Sequence, residues 1–154
     1  MARRAGAERV DACAKARSTM NHKDTWTATI TIPAAPVYAM SPNARTHYLA
    51  KARATSEAKQ IASLALRGVP PIHGQVELDW EIDLPAGRKR MDWDNALCTL
   101  KAYGDSLVEA GIIEDDNPDV VVRIGLKQTN YTKHRNRGGE IRCTITAVES
   151  ARKG

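Results

Sequence analysis

The sequence predicts an α+β fold, a small single domain of β-α-β-α-β-β order with a mixed sheet and helices packed on it. Three observations lead there. Residues 75–84 alternate apolar and polar side chains without a break, residues 46–67 contain no Gly or Pro, and two more alternating runs close the chain after a second helical stretch.

The first strand is read over residues 25–32, TWTATITI, where Thr alternates with Trp26, Ala28, Ile30 and Ile32, and Pro33 ends it. A loop, PAAPVYAMSPNAR, follows. Residues 46–67, rich in Ala, Lys and Leu, then read as a helix stopped by Gly68. The second strand places Val76, Leu78, Trp80, Ile82 and Leu84 on one face and Gln75, Glu77, Asp79, Glu81 and Asp83 on the other, the latter facing solvent. After the turn PAGRKR comes MDWDNALCTLKAYGDSLVEAGIIEDD, read as a second helix with Asp94 or Asn95 as N-cap and Gly111 as its stop. Residues 120–127 and 139–147 alternate again, and the basic loop between them, with Gly138 and Gly139, reads as the tip of a hairpin.

A chain of 154 residues is long enough for a hydrophobic core without disulfides or a structural metal. Residues 24–150 are assigned to that domain. Residues 1–23 are expected to be a basic, flexible leader, dispensable for folding and consistent with translation starting at Met20. Cys13, Cys98 and Cys143 are odd in number and widely spaced, so they are read as reduced thiols. No stretch reaches the roughly 18 apolar residues of a membrane span, and the N-terminus lacks the apolar core of a signal peptide; a cytoplasmic protein is expected.

The formal net charge is +5, and Arg3, Arg4, Arg9, Lys15 and Arg17 of the leader supply most of it. Elsewhere the charge is segregated. Arg88, Lys89 and Arg90 form one basic cluster and Lys133, His134, Arg135 and Arg137 another, whereas residues 102–122 hold six acids and no Lys or Arg. Such a pattern suits an acidic site rimmed by basic loops, and equally a set of solvated surfaces.

On a helical wheel Leu97, Leu100, Leu107 and Val108 span about 100° and define the buried face, with Asp94, Cys98, Lys101 and Asp105 along its edge. Asp92 and Asp94, two apart in an extended approach to this helix, point the same way. Asp115 and Asp116 follow its end. Carboxylates gathered out of water raise each other's pKa unless a cation sits among them, and all-oxygen ligation favours Mg²⁺ or Mn²⁺ over zinc. Taken singly, Asp94 is also a cap, Lys101 and Asp105 an i,i+4 pair, and EDDNPD a polar turn. An EF-hand loop counted from Asp92 fails, because Leu97 and Tyr103 stand where Gly and Glu are required.

The run D-W-D-N at 92–95, followed from Lys101 by K-x-x-x-D-x-L-x-x-x-G-x-x-x-D-D, resembles the signature of the RusA family of Holliday junction resolvases, phage and prophage type. ITIP and SPNARTHYLAKARAT resemble the N-terminal strand, loop and helix start of that family, and the likeness covers residues 25–147. It implies a RusA-like fold and a crossover junction endodeoxyribonuclease, a homodimer that resolves four-way junctions by paired phosphodiester hydrolysis in recombination and repair, in a bacterial cell. It further implies that Asp92, Asp94 and Asp116 bind a catalytic Mg²⁺, for which Mn²⁺ can substitute, and that Lys101 assists at the scissile phosphate. Asp105 and Asp115 are supporting residues. Asn43, Arg45, Arg88, Lys89, Arg90, Lys133, Arg135 and Arg137 are candidates for contact with DNA phosphates. Two departures stand out: Lys101 follows Asp94 by seven residues rather than four, close to one added helical turn, and Met91 replaces a basic residue. The alternatives are a junction-binding protein without cleavage and a nuclease for other branched DNA.

Overall fold

The computed structural model describes residues 17–20, 26–33, 40, 43, 45, 47–84, 89–130 and 139–148. Its strands are β1 (Arg17–Met20), β2 (Trp26–Pro33), β3 (Val76–Leu84), β4 (Val121–Asn130) and β5 (Glu140–Ala147), with helices α1 (Tyr48–Ala65) and α2 (Trp93–Glu109). The order from β2 onward is the β-α-β-α-β-β expected from the sequence. Arg17–Met20, inside the segment read as leader, adds an edge strand antiparallel to β2. The expected strand near Met20 therefore has a short partner on its N-terminal side.

The mixed sheet runs β1-β2-β5-β3-β4. β3 and β4 are parallel, connected through α2, while β5 lies antiparallel between β2 and β3. The expected hairpin of the last two strands is thus overturned. β5 carries Ile141, Cys143 and Ile145 as a continuous buried row, and inserting it between β2 and β3 covers those residues on both sides. β4, with Val122, Arg123, Ile124 and Lys127 exposed, takes the outer position instead. The connecting residues 131–138 lie outside the described residues.

One sheet face is apolar. Ile30 and Ile32 of β2, the alternate residues Val76 to Leu84 of β3, and the three buried residues of β5 join α1 and α2 in a single core. α1 reaches it with Ala54, Ala58, Ala62 and Ala65. These small side chains at near-helical spacing let the helix lie close to its neighbours, and Gly68 follows the helix at φ 78°, a left-handed turn that glycine adopts without strain. The other face of β3 is not simply solvated: Arg123 bridges Glu77 and Asp79, and Arg142 pairs with Glu81.

α2 is phased differently from the expectation. It buries Asn95, Ala96, Thr99, Leu100, Ala102, Tyr103, Ser106 and Leu107, whereas Leu97 is 46% exposed and Val108 half-buried. Thr99 and Ser106 can be buried because each hydroxyl donates to the carbonyl four residues back, at 2.8 Å. The inner face is therefore partly polar, and Leu97 falls on its rim. The N-cap is Asp92, not Asp94 or Asn95, and its side chain makes no capping bond. Asp94 lies in the first turn, where the helix dipole favours an acid, and Asn95 is buried.

Candidate functional site

α2 and the segment after it build the site. Gly111, at φ 70°, turns the chain out of the helix, and the amides of Gly111 and Ile112 donate to the carbonyls of Val108 and Leu107 at 2.9 Å. Ile112 and Ile113 are fully buried, and Ile112 accepts a 2.7 Å bond from the Ile72 amide. The return segment is thereby anchored, which fixes the start of the acidic run.

Asp115 and Asn117 stabilise that turn. The Asp115 carboxylate accepts from the Asp116 amide and from Asn117 Nδ2, both at 2.7 Å, while Asn117 Oδ1 accepts from the amides of Asp119 and Val120. Asp115 thus spends its acceptors on the turn and leaves Asp116 to face α2.

Lys101 meets it there. Its Nζ donates to Asp105 Oδ1 at 3.0 Å and to Asp116 Oδ2 at 3.4 Å. Lys59 of α1 reaches the same group, 3.8 Å from Asp105 Oδ2 and 2.6 Å from Glu109 Oε1. The result is an alternating chain, Glu109, Lys59, Asp105, Lys101 and Asp116, spanning both helices and the return segment. The acids beside Lys101, Asp105 foremost, raise its pKa, and hydrogen bonding to Glu109 does the same for Lys59. Both ammonium groups stay charged at neutral pH.

Asp92 and Asp94 are exposed at the start of α2. Their approach is held by Gln128 of β4, whose side-chain amide accepts from the Met91 amide and donates to the Met91 carbonyl, both at 2.8 Å. Sequence reading missed this residue. Its partner in register is buried Ile82 of β3, a pairing that only the fold reveals.

The structure brings Lys101, Asp105 and Asp116 together and leaves Asp92 and Asp94 at the far end of the stripe, Asp94 seven residues or about 10 Å of helix from Lys101. Among the described residues, no three His, Cys, Asp or Glu side chains form a group able to hold a metal ion. The oxygen donors suit Mg²⁺ chemically, but Asp92, Asp94 and Asp116 do not form one shell in this arrangement, and Asp116 is engaged by Lys101. Between α2 and β4 a cavity of about 230 Å³ is lined by Leu97, Leu100, Gly104 and Ile124, with Lys101 and Asp116 among its polar walls.

The basic candidates lie around this frame. Asn43 and Arg45 are exposed ahead of α1, and Lys89 and Arg90 ahead of α2; Arg88, Lys133, Arg135 and Arg137 lie outside the described residues. His47 caps α1, accepting from the Leu49 amide, and exposed His73 faces Glu114 at 3.4 Å. Cys98 is exposed and Cys143 buried, both free thiols, and Cys13 lies outside the described residues. Burial raises the Cys143 pKa, keeping that thiol protonated. No helix among the described residues is long and apolar enough to cross a membrane.

No family model matches the chain, and no curated protein matches it. Among solved structures it is similar to the OmpA-like domain of FopA1 from Francisella tularensis subsp. tularensis SCHU S4, at 15% identity over 87% of this chain and 80% of that one, with a TM-score of 0.36.

Proposed function

We propose that the protein is a structure-specific endonuclease of the RusA type, which resolves four-way DNA junctions by hydrolysing phosphodiester bonds on two strands. The observation that carries this reading is the Lys101 ammonium between Asp105 and Asp116, residues far enough apart in sequence that only the return after Gly111 unites them. A fixed cation beside acids is suited to phosphoryl chemistry. In this reading Lys101 stabilises negative charge on a phosphate oxygen or the leaving 3′ oxygen. As a protonated amine it does not act as the base.

Asp92, Asp94 and Asp116 are the proposed Mg²⁺ residues, with Mn²⁺ as substitute; because they do not form one shell here, gathering them around one ion requires Asp116 to exchange Lys101 for the metal. A single Mg²⁺ commonly takes one or two protein carboxylates, and when bound supplies a water of lowered pKa. Asp105 supports Lys101, and Asp115 acts through the turn that presents Asp116. Asn43, Arg45, Arg88, Lys89, Arg90, Lys133, Arg135 and Arg137 are proposed to hold phosphates without reading sequence. Symmetric nicking of two strands requires two sites related by a two-fold axis, which a homodimer supplies.

The engagement of Asp116 by Lys101, apart from Asp94, favours a second reading, a junction-binding protein without cleavage. A labelled synthetic four-way junction with Mg²⁺, Mn²⁺ or EDTA separates the two, with Asp94→Asn and a linear duplex alongside. Metal-dependent paired nicks that Asp94→Asn abolishes support the endonuclease. Tight binding without nicks in either metal supports the second reading, and equal cutting of linear duplex contradicts junction specificity.

A further inference from the structure

Trp93 is the most exposed large apolar side chain of α2, at 60%, and Leu97, one turn along the same helical face, is 46% exposed. Leu97 in turn shares the walls of the α2–β4 cavity with Ile124 of β4. The apolar strip therefore runs from the helix start to the cavity. With Ile124 also 55% exposed, three large apolar side chains open to solvent line this route, a grouping that suits a contact surface. We propose that Trp93 and Leu97 receive unstacked bases of branched DNA; this rests on the DNA-binding part of the function proposed above.

The charges beside the strip favour that occupant. Trp93 is flanked in sequence by Asp92 and Asp94, both exposed, so with no metal on these acids a phosphate brought against the indole meets two carboxylates of its own sign. The neutral face of a base meets no such repulsion. Exposed Arg90, three residues upstream, and Lys89 beside it supply cations for the backbone that carries the base. Arranged this way, the surface rejects the phosphate wall of an intact duplex and accepts a base whose face is free, as at a branch point or in a single strand. An indole supplies a wide stacking platform that tolerates any base.

The test uses the full chain in EDTA, with wild type, Trp93→Ala and Trp93→Phe titrated against a synthetic four-way junction and a linear duplex of matched length. Indole fluorescence and affinity are both read. Junction addition should quench wild-type emission, and the quenching component should be missing in Trp93→Phe. Trp93→Ala should lose roughly 5- to 150-fold in junction affinity, the range expected for one base–aromatic stack. Trp93→Phe should retain most of the affinity, and duplex binding should be the same in all three. Unchanged junction affinity in Trp93→Ala overturns this proposal while leaving the DNA-binding reading in place, as does an equal loss on junction and duplex. A change from dimer to monomer in Trp93→Ala, without loss of junction affinity per protomer, reassigns the strip to a contact between copies and also overturns it. Wild-type protein that binds no DNA at all removes both this proposal and the function beneath it.

Discussion

Gln128 grips the main chain of Met91 at two points, accepting from its amide and donating to its carbonyl at 2.8 Å. Through those bonds the parallel strand β4 holds the entry to α2, and so the two acids that flank Trp93. Replacing Gln128 with Leu leaves two partly buried backbone groups without their partner, a loss expected to cost about 1–3 kcal/mol. Urea unfolding of the variant should show that loss, together with faster amide exchange at Met91. Stability within about 0.5 kcal/mol of wild type would mean the clamp contributes nothing.

Gly125 has a different structural task. A Cβ at this position would overlap Asp79 Oδ1, the residue paired with it in the β3–β4 register. Its absence lets Asp79 lie across β4 to meet Arg123 in a two-pronged contact, at 3.0 and 2.7 Å. Gly125→Ala is expected to displace Asp79 from Arg123 at only a small cost in stability, because the overlapped Oδ1 is the end of a half-exposed side chain. With Asp79→Ala in the background the same change should cost less still, so a double-mutant cycle measured by denaturant unfolding should be non-additive. Additive costs would contradict the steric account.

The strands were legible where burial is one-sided. β3 reads directly from the sequence because every second residue of Val76–Leu84 is buried. The place of β5 does not, since alternation reports which face is buried but not which neighbour pairs with it; insertion between β2 and β3 depends on contacts distant in sequence. A wheel phased on leucines misplaces α2, because the helix hides Ala96, Thr99 and Ser106 and leaves Leu97 on the rim. Within the site, the i,i+4 relation of Lys101 and Asp105 was legible from helix geometry. The approach of Asp116 required the turn set by Gly111, Asp115 and Asn117. Lys59 and Gln128 come from elements far from the acidic run, and local spacing carries no signal of them.

Lys101 gives a prediction with a definite sign in pH. Asp105 and Asp116 raise its folded pKa above the unfolded value, so its contribution to stability is fully present below the unfolded pKa, near 10.5, and is lost as pH rises through the folded value. The stability difference between wild type and Lys101→Met should therefore be flat from neutral pH to about pH 10 and shrink above it. Because the ammonium is largely exposed, the difference should stay below about 1 kcal/mol and weaken with salt. A difference that vanishes between pH 6 and 8 would contradict this placement.

In the proposed reaction Lys101, presented between Asp105 and Asp116, acts on a phosphate of branched DNA. Single-turnover cleavage of a four-way junction in Mg²⁺, with junction affinity measured in parallel, tests it most directly through Lys101→Met. The variant should cut about 10²- to 10³-fold more slowly with binding retained, the loss typical of removing a group that stabilises transition-state charge. Cleavage by Lys101→Met at the wild-type rate, or a wild-type protein that leaves the junction intact, would contradict it.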